Sequence, residues 1–75
     1  MYRLRIKALR DAATAEGDKT PYAISKRTGL SQSAAYRILS GESQPDLNSL
    51  LLLAETYGVT VESLMERTEL AEAAA

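Results

Sequence analysis

The 75-residue sequence contains no cysteine and no histidine, and it also lacks tryptophan and phenylalanine. Without cysteine, neither a disulfide framework nor a thiolate metal site can support a small core. Without histidine, the commonest metal ligand and general base is missing. The sequence has no Gly-rich phosphate loop of the GxxxxGK type and no carboxylate pair within an apolar run. We therefore expect a protein that is not an enzyme and that uses no metal, cofactor or small-molecule substrate.

Long hydrophobic runs are absent as well. No apolar segment approaches the roughly 20 residues that span a bilayer. The N-terminus MYRLRIKALR alternates cationic and apolar side chains, unlike a signal peptide. The sequence predicts one small, soluble, cytoplasmic domain with a modest core and no membrane association.

The two halves of the sequence differ in charge. Residues 1–40 contain eight Lys or Arg and three acidic residues, whereas residues 41–75 contain one Arg and seven acidic residues. The net charge of −1 therefore combines a basic half with an acidic half. This polarity suits a protein that presents one face to phosphate and turns the other away. Chance segregation on a small surface is the alternative interpretation.

Helix signals dominate and strand signals are scarce. The apolar spacing predicts a first amphipathic helix from Tyr2 to about Ala15, with Ile6, Leu9 and Ala13 on its buried side. Together with the four helices described next, this indicates an all-α, compact five-helix domain with short loops.

Two short helices follow, separated by a turn that contains glycine. Thr20 is predicted to cap the second helix, with Pro21 in its first position. Gly29 is predicted to end this helix in the left-handed backbone region. Ser31 is then expected to cap a third helix over residues 32–39. Two helices joined in this way are the signature of a helix-turn-helix unit.

The last two helices are predicted from their caps. Asp46 is expected to cap a fourth helix, which ends at Gly58. Thr60 is expected to cap a fifth helix over the segment VESLMERTEL. The leucines at 50–53 are assigned to the core. The predicted buried stripe of the fourth helix comprises Leu47, Leu50, Leu51, Leu53, Ala54 and Tyr57. An apolar strip on the fifth helix and the tail, the expected dimer interface, comprises Val61, Leu64, Met65 and Leu70.

The third helix carries polar side chains that a purely structural helix would not need. The second helix of a helix-turn-helix unit enters the DNA major groove, where its N-terminal residues meet base edges. Gln can bond an adenine edge, Arg a guanine edge, and a small Ala can approach a thymine methyl group. The predicted base-contacting residues are Gln32, Ser33, Ala34, Tyr36 and Arg37.

The segment TPYAISKRTGLSQSAAYRILSGESQPDLNSLLLLAETYGVTVESL resembles the lambda-repressor-like (Cro/C1-type) helix-turn-helix family. The features that match the pattern of this family are the capped helix, the Gly-apolar-Ser turn, the Pro-bearing loop, the Leu-rich helix and the YGVTVESL ending. With Ile6, Leu9 and Arg10, the resemblance covers about residues 3–66. It implies a sequence-specific transcriptional regulator, most simply a repressor that binds a palindromic operator in double-stranded DNA as a homodimer. Such a protein would be nucleoid-associated and bacterial or phage-encoded.

The resemblance also implies phosphate contacts by hydroxyl groups and by main-chain N–H groups of residues 40–44. Lys26 and Arg27 are also predicted to contact phosphate, because they are expected to face outward near the end of the second helix. The predicted phosphate-contacting residues are Thr20, Pro21, Lys26, Arg27, Ser31, Ser40 and Ser43. The chain departs from the family where Pro21 replaces the common Gln and Thr28 replaces a usual apolar residue.

These observations assign residues 1–68 to a DNA-binding domain and residues 69–75 to an Ala-rich tail that extends the last helix or is disordered. A phage or mobile-element immunity repressor and an antitoxin would both have such a sequence. Two other functions stay open. One is a protein-interaction module that uses the acidic half, and the other is a DNA-architectural or recombination accessory factor.

Overall fold

The computed structural model describes residues 1–68, which form five helices and two short strands. In chain order these are β1 (Tyr2–Leu4), α1 (Ile6–Ala15), α2 (Pro21–Thr28), α3 (Gln32–Ser40), α4 (Leu47–Tyr57), α5 (Val61–Leu64) and β2 (Met65–Arg67). The predicted five-helix domain is confirmed, with a small sheet added to it. The tail at residues 69–75, including Leu70, lies outside the described residues.

Four helices begin at the predicted capping residues. The cap hydrogen bonds are Ala23 N–H to Thr20 Oγ1 (3.1 Å), Ala34 N–H to Ser31 Oγ (3.1 Å), Ser49 N–H to Asp46 Oδ1 (2.8 Å) and Ser63 N–H to Thr60 Oγ1 (3.1 Å). Each cap of this kind stabilises its helix by about 1 kcal/mol. The start of α1 has no side-chain cap at Arg5.

All five helices and β1 contribute to a single core. Its buried residues are Leu4, Leu9, Ala13, Ile24, Ile38, Leu39, Leu50, Leu53, Ala54, Tyr57 and Leu64. Leu9 and Ala13 are fully buried on α1, as the apolar spacing predicts, and Ile6 packs at the edge of the core. This core supports α2 and α3 from one side and leaves their other faces accessible.

The predicted stripe of α4 is partly wrong. The buried residues of α4 are Leu50, Leu53, Ala54 and Tyr57. Leu47, Leu51 and Leu52 are instead exposed, with 69%, 48% and 39% of their surface accessible. Because four leucines follow one another, the sequence alone allows more than one face of α4 to point toward the core. The packing of α4 against α2 and α5 selects the face that includes Tyr57.

The predicted helix start at Tyr2 is wrong, because the first residues form a strand. In the antiparallel sheet, Tyr2 pairs with Arg67, Arg3 with Glu66 and Leu4 with Met65. The chain before Ile6 is held by the backbone bonds of this sheet and by the Arg5 N–H, which donates to the Leu64 carbonyl at 2.7 Å. Pairing as a strand satisfies the backbone and buries Leu4.

The predicted long fifth helix is also wrong. It ends at Leu64, where the chain turns into β2. Leu64 is 1% exposed, and Val61 and Met65 pack against the core. Of the apolar strip expected there as a dimer interface, Leu64 is therefore buried in the fold and Val61 and Met65 are partly buried, whereas Leu70 lies outside the described residues.

Candidate nucleic-acid interface

The turn between α2 and α3 is fixed by local hydrogen bonds. Gly29 has a φ of 87°, and its N–H donates to the Ser25 carbonyl at 2.9 Å. The buried Thr28 hydroxyl donates to the Ile24 carbonyl at 2.8 Å and accepts the Leu30 N–H at 3.2 Å. The polar residue at position 28 is therefore fully hydrogen-bonded in its buried position. These bonds set the direction in which α3 leaves the turn.

The packing of α3 determines which of its side chains face outward. Ala35, Ile38 and Leu39 are buried, as expected for the inner face. The opposite flank is exposed and carries Gln32, Ser33, Tyr36 and Arg37. Tyr36 is 62% exposed, which shows that the core does not need its ring.

A groove runs between the start of α2 and the outer flank of α3. It is lined by Thr20, Pro21, Tyr22, Gln32, Ser33, Tyr36 and Arg37. The structure thus brings together four of the five predicted base-contacting residues and two of the predicted phosphate-contacting residues. Tyr22 is the one lining residue that the sequence analysis missed. Its position beside α3 depends on how the two helices cross, and no local pattern encodes that crossing.

Ala34, the fifth predicted base-contacting residue, lies on another flank of α3. It is partly buried and lines a second, smaller groove beside the loop that leads to α4. The residues around this groove are Ala34, Arg37, Ile38, Ser43, Gln44, Pro45, Asp46 and Ser49. Arg37 borders both grooves, so its guanidinium can reach either side of α3.

Three of the four predicted phosphate-contacting hydroxyl groups, those of Thr20, Ser31 and Ser40, already take part in hydrogen bonds. Thr20 and Ser31 accept cap bonds, which leaves each hydroxyl hydrogen available for donation to a phosphate. Ser40 Oγ donates instead to the Arg37 carbonyl at 3.2 Å. The same carbonyl accepts the N–H groups of Glu42 and Ser43, at 3.0 and 3.3 Å. Main-chain donors of this loop therefore have acceptors within the chain.

The two predicted phosphate-contacting cations of α2 have different surroundings. Lys26 is exposed, and its Nζ lies 5.6 Å from the centre of the Tyr22 ring. The Arg27 guanidinium instead makes an ion pair with Asp18 and donates to the Glu16 carbonyl at 3.2 Å. Lys26 is therefore the cation of α2 that is better placed to meet a phosphate.

The ion pair of Arg27 belongs to a small polar cluster next to the core. Asp18 is buried and accepts hydrogen bonds from Arg27 and from the Tyr57 hydroxyl, the latter at 2.8 Å. The bond from Arg27 is the main reason that the pKa of Asp18 is lowered. Burial, followed by the bond to Asp18, raises the pKa of Tyr57. A neutral tyrosine and an ionised aspartate therefore persist together over the physiological pH range.

The described residues contain neither a cluster of metal ligands nor a membrane-spanning helix. Within residues 1–68, no group of three or more potential metal ligands comes together. No helix in that same part of the chain is long and apolar enough to cross a membrane.

Comparison with known proteins gives one match. A family model described as helix-turn-helix matches residues 6–64. This range begins at the first residue of α1 and ends at the last residue of α5, so it contains all five helices and the groove. No curated protein and no solved structure matches the chain significantly.

Proposed function

This chain belongs to the Cro/C1-type helix-turn-helix family, and from that premise we propose that it is a repressor that reads a palindromic operator as a dimer. Membership of the family makes the chain a DNA-binding transcriptional regulator with a lambda-repressor-like fold. The α2–α3 groove carries the finer proposal, because it collects hydrogen-bonding side chains from both helices on one accessible face. In this proposal residues 1–68 are the DNA-binding domain.

The chemistry of the groove suits base edges in the major groove. Gln32 stands at the first position of α3, from which its amide can pair with an adenine edge. Arg37 is one turn and a half further along the exposed flank and can bond a guanine edge in bidentate fashion. Ser33 lies between them, and its hydroxyl can donate or accept. In the proposed complex these three side chains read sequence, and Tyr36 packs beside them.

Phosphate contacts would hold α3 in register with the duplex. Lys26 is the exposed cation of α2, and the hydroxyl groups of Thr20 and Ser31 have hydrogens left to donate. Ser43 can contribute from the loop beside the second groove. Arg27 has a structural role in the proposal, because its guanidinium is already paired with Asp18.

A second copy of the chain would dock on the exposed leucines of α4. Since Leu64 is buried and Val61 and Met65 are partly buried, we assign the dimer interface to the more exposed leucines Leu47, Leu51 and Leu52. An isologous contact of these leucines would relate two copies by a two-fold axis. Two α3 helices about 34 Å apart could then read two half-sites on one side of the duplex.

A selection experiment tests this function. The protein is incubated with a pool of randomised double-stranded DNA, and bound sequences are recovered and sequenced in parallel with an Arg37→Ala variant. We expect a palindromic motif with half-sites about one helical turn apart, and loss of preference at one position of each half-site in the variant. An unpaired motif would contradict the dimer, and no enrichment at low salt would contradict sequence-specific DNA reading.

The leucine face of α4 also favours a second candidate function. It lies in the acidic half of the chain, between Asp46 and Glu55. Exposed leucines in an acidic part of the sequence suit a protein partner with basic and apolar side chains. If the selection enriches no sequence, capture of such a partner by the wild type and not by Leu51→Glu would favour this protein-interaction module.

A further inference from the structure

Tyr22 is an exposed aromatic residue in the α2–α3 groove for which the fold gives no reason. It occupies the second position of α2 and is 53% exposed. The residues that α2 buries are Ile24, Ser25 and Thr28, so the ring of Tyr22 is not used to pack this helix on the core. It lies instead along the same groove as Tyr36 of α3. Two exposed tyrosines from neighbouring helices thus flank the proposed base-reading side chains.

The ring of Tyr22 also contacts the cation that we assign to phosphate. Lys26 lies four residues further along α2, and its Nζ is 5.6 Å from the ring centre. A cation over the face of a tyrosine ring is attracted by the negative potential of that face. Within residues 1–68 no carboxylate forms an ion pair with Lys26. The ring is therefore the group that restricts where this ammonium can go.

The start of α2 is short of main-chain donors. Pro21 has no N–H, and the N–H of Ala23 is used by the Thr20 cap. The N–H of Tyr22 makes no hydrogen bond within residues 1–68, so a phosphate near this end of the groove would find this one main-chain donor and would depend on side chains for its other hydrogen bonds. The hydroxyl of Tyr22 is a donor that the groove already contains.

We propose that Tyr22 is a DNA-contacting residue that packs its ring against the sugar–phosphate backbone of one strand and positions Lys26 toward an adjacent phosphate. This inference rests on the proposed DNA-reading function and adds a residue to its contact surface. The apolar ring covers the hydrocarbon face of a deoxyribose, and the hydroxyl donates to a phosphate oxygen. Because both groups belong to the backbone, Tyr22 contributes affinity and register rather than base preference.

A set of four variants tests this role. Binding of Tyr22→Ala, Tyr22→Phe, Lys26→Ala and the double alanine variant is measured by fluorescence anisotropy on the duplex that the wild type enriches. We expect Tyr22→Ala to weaken binding about tenfold, because the apolar contact of the ring is lost, and Tyr22→Phe about threefold, because only the hydroxyl is lost. Lys26→Ala should weaken binding less in the Tyr22→Ala background than in the wild type, because the ring no longer positions the ammonium.

The control is Tyr2→Ala, which removes an exposed tyrosine of β1 outside the groove. Tyr2→Ala should bind the duplex with the affinity of the wild type. Thermal unfolding of Tyr22→Ala should show that this variant is folded at the temperature of the binding measurement. Equal affinity of Tyr22→Ala and wild type, or additive effects of the two alanine substitutions, would overturn the inference while the wild type still bound its duplex. If the wild type itself enriched no duplex, the proposed function would fail first, and this inference with it.

Discussion

The hydroxyl of Tyr57 donates a 2.8 Å hydrogen bond to the carboxylate of Asp18, which lies 39 residues earlier in the chain. The same carboxylate is paired with the guanidinium of Arg27 on α2. The loop before α2, α2 itself and the end of α4 are thereby joined at one buried point. Since α2 forms one wall of the α2–α3 groove, this cluster helps to hold that wall in place.

The cluster should make stability depend on pH in acid. The pKa of Asp18 is lowered in the folded protein, chiefly by the bond from Arg27, relative to about 3.9 for an ordinary aspartate. The contribution of Asp18 is therefore complete above its unfolded pKa and is lost as pH falls through the lowered folded value. The free energy of unfolding can be measured in urea between about pH 2 and pH 6. As the pH is lowered, we expect it to fall less steeply for Asp18→Asn than for the wild type.

The Asp46 cap provides an internal reference for that experiment. Its pKa is also lowered, by the bond from the Ser49 N–H, and Asp18→Asn leaves this bond unchanged. We therefore expect the free energy of unfolding of Asp18→Asn still to decrease somewhat as the pH falls. If wild type and Asp18→Asn had the same slope throughout, the linkage assigned to Asp18 would be wrong.

The side chain of Gln44 should contribute to stability although it lies in an exposed loop. Its Oε1 accepts the N–H of Leu4 in β1 at 2.8 Å, a partly buried bond that ties the sheet to the loop after α3. Gln44→Ala leaves this donor without its partner, so we expect a loss of about 1 kcal/mol in urea unfolding. Gln44→Glu keeps an acceptor and should lose less. Equal stability of Gln44→Ala and wild type would contradict this role.

Leu51→Glu should separate the proposed dimer into monomers. The substitution places a carboxylate in the centre of the exposed leucine face of α4, where dimer formation would have to bury it. Sedimentation equilibrium should show the dimer dissociation constant rising at least about tenfold. The matched control is Ala15→Glu at an exposed position of α1, which should leave association unchanged. A wild type that is monomeric at high concentration, or a Leu51→Glu dimer as tight as wild type, would rule out this interface.

Salt dependence should identify the phosphate contacts. If Lys26 neutralises one phosphate, Lys26→Ala should reduce the slope of log affinity against log salt concentration by about 0.9. Lys7→Ala is the control, because the Lys7 ammonium lies outside the groove and is paired with Asp11 at 2.9 Å. An unchanged slope for Lys26→Ala would remove this residue from the proposed interface.

Local sequence signals predicted the helix-turn-helix unit well. The hydroxyl or carboxylate of a capping residue acts within one turn, so Thr20, Ser31 and Asp46 could be recognised without knowledge of the rest of the fold. Gly29 was recognised for the same reason, because its left-handed backbone is a property of that position alone. The outward flank of α3 followed from helical periodicity once its start was fixed.

Features that depend on distant partners were not predicted. The strand at residues 2–4 exists because residues 65–67 pair with it, and neither segment has a strong strand pattern alone. The helical phase of the leucines at 50–53 depends on which neighbours pack against α4. Tyr22 was missed because its place in the groove results from the crossing of α2 and α3. In each case the deciding contact joins segments that a single window of sequence does not contain.

Base reading by the outer flank of α3 can be tested by measuring how well the protein discriminates between closely related duplexes. Affinities of wild type and Arg37→Ala are measured at one salt concentration for the enriched duplex and for duplexes with single base-pair changes. We expect wild type to discriminate against one such change by about 1–3 kcal/mol and Arg37→Ala to lose that discrimination at this position only. Equal discrimination by the two proteins at every position would contradict base reading by Arg37 and the orientation of α3 proposed for the complex.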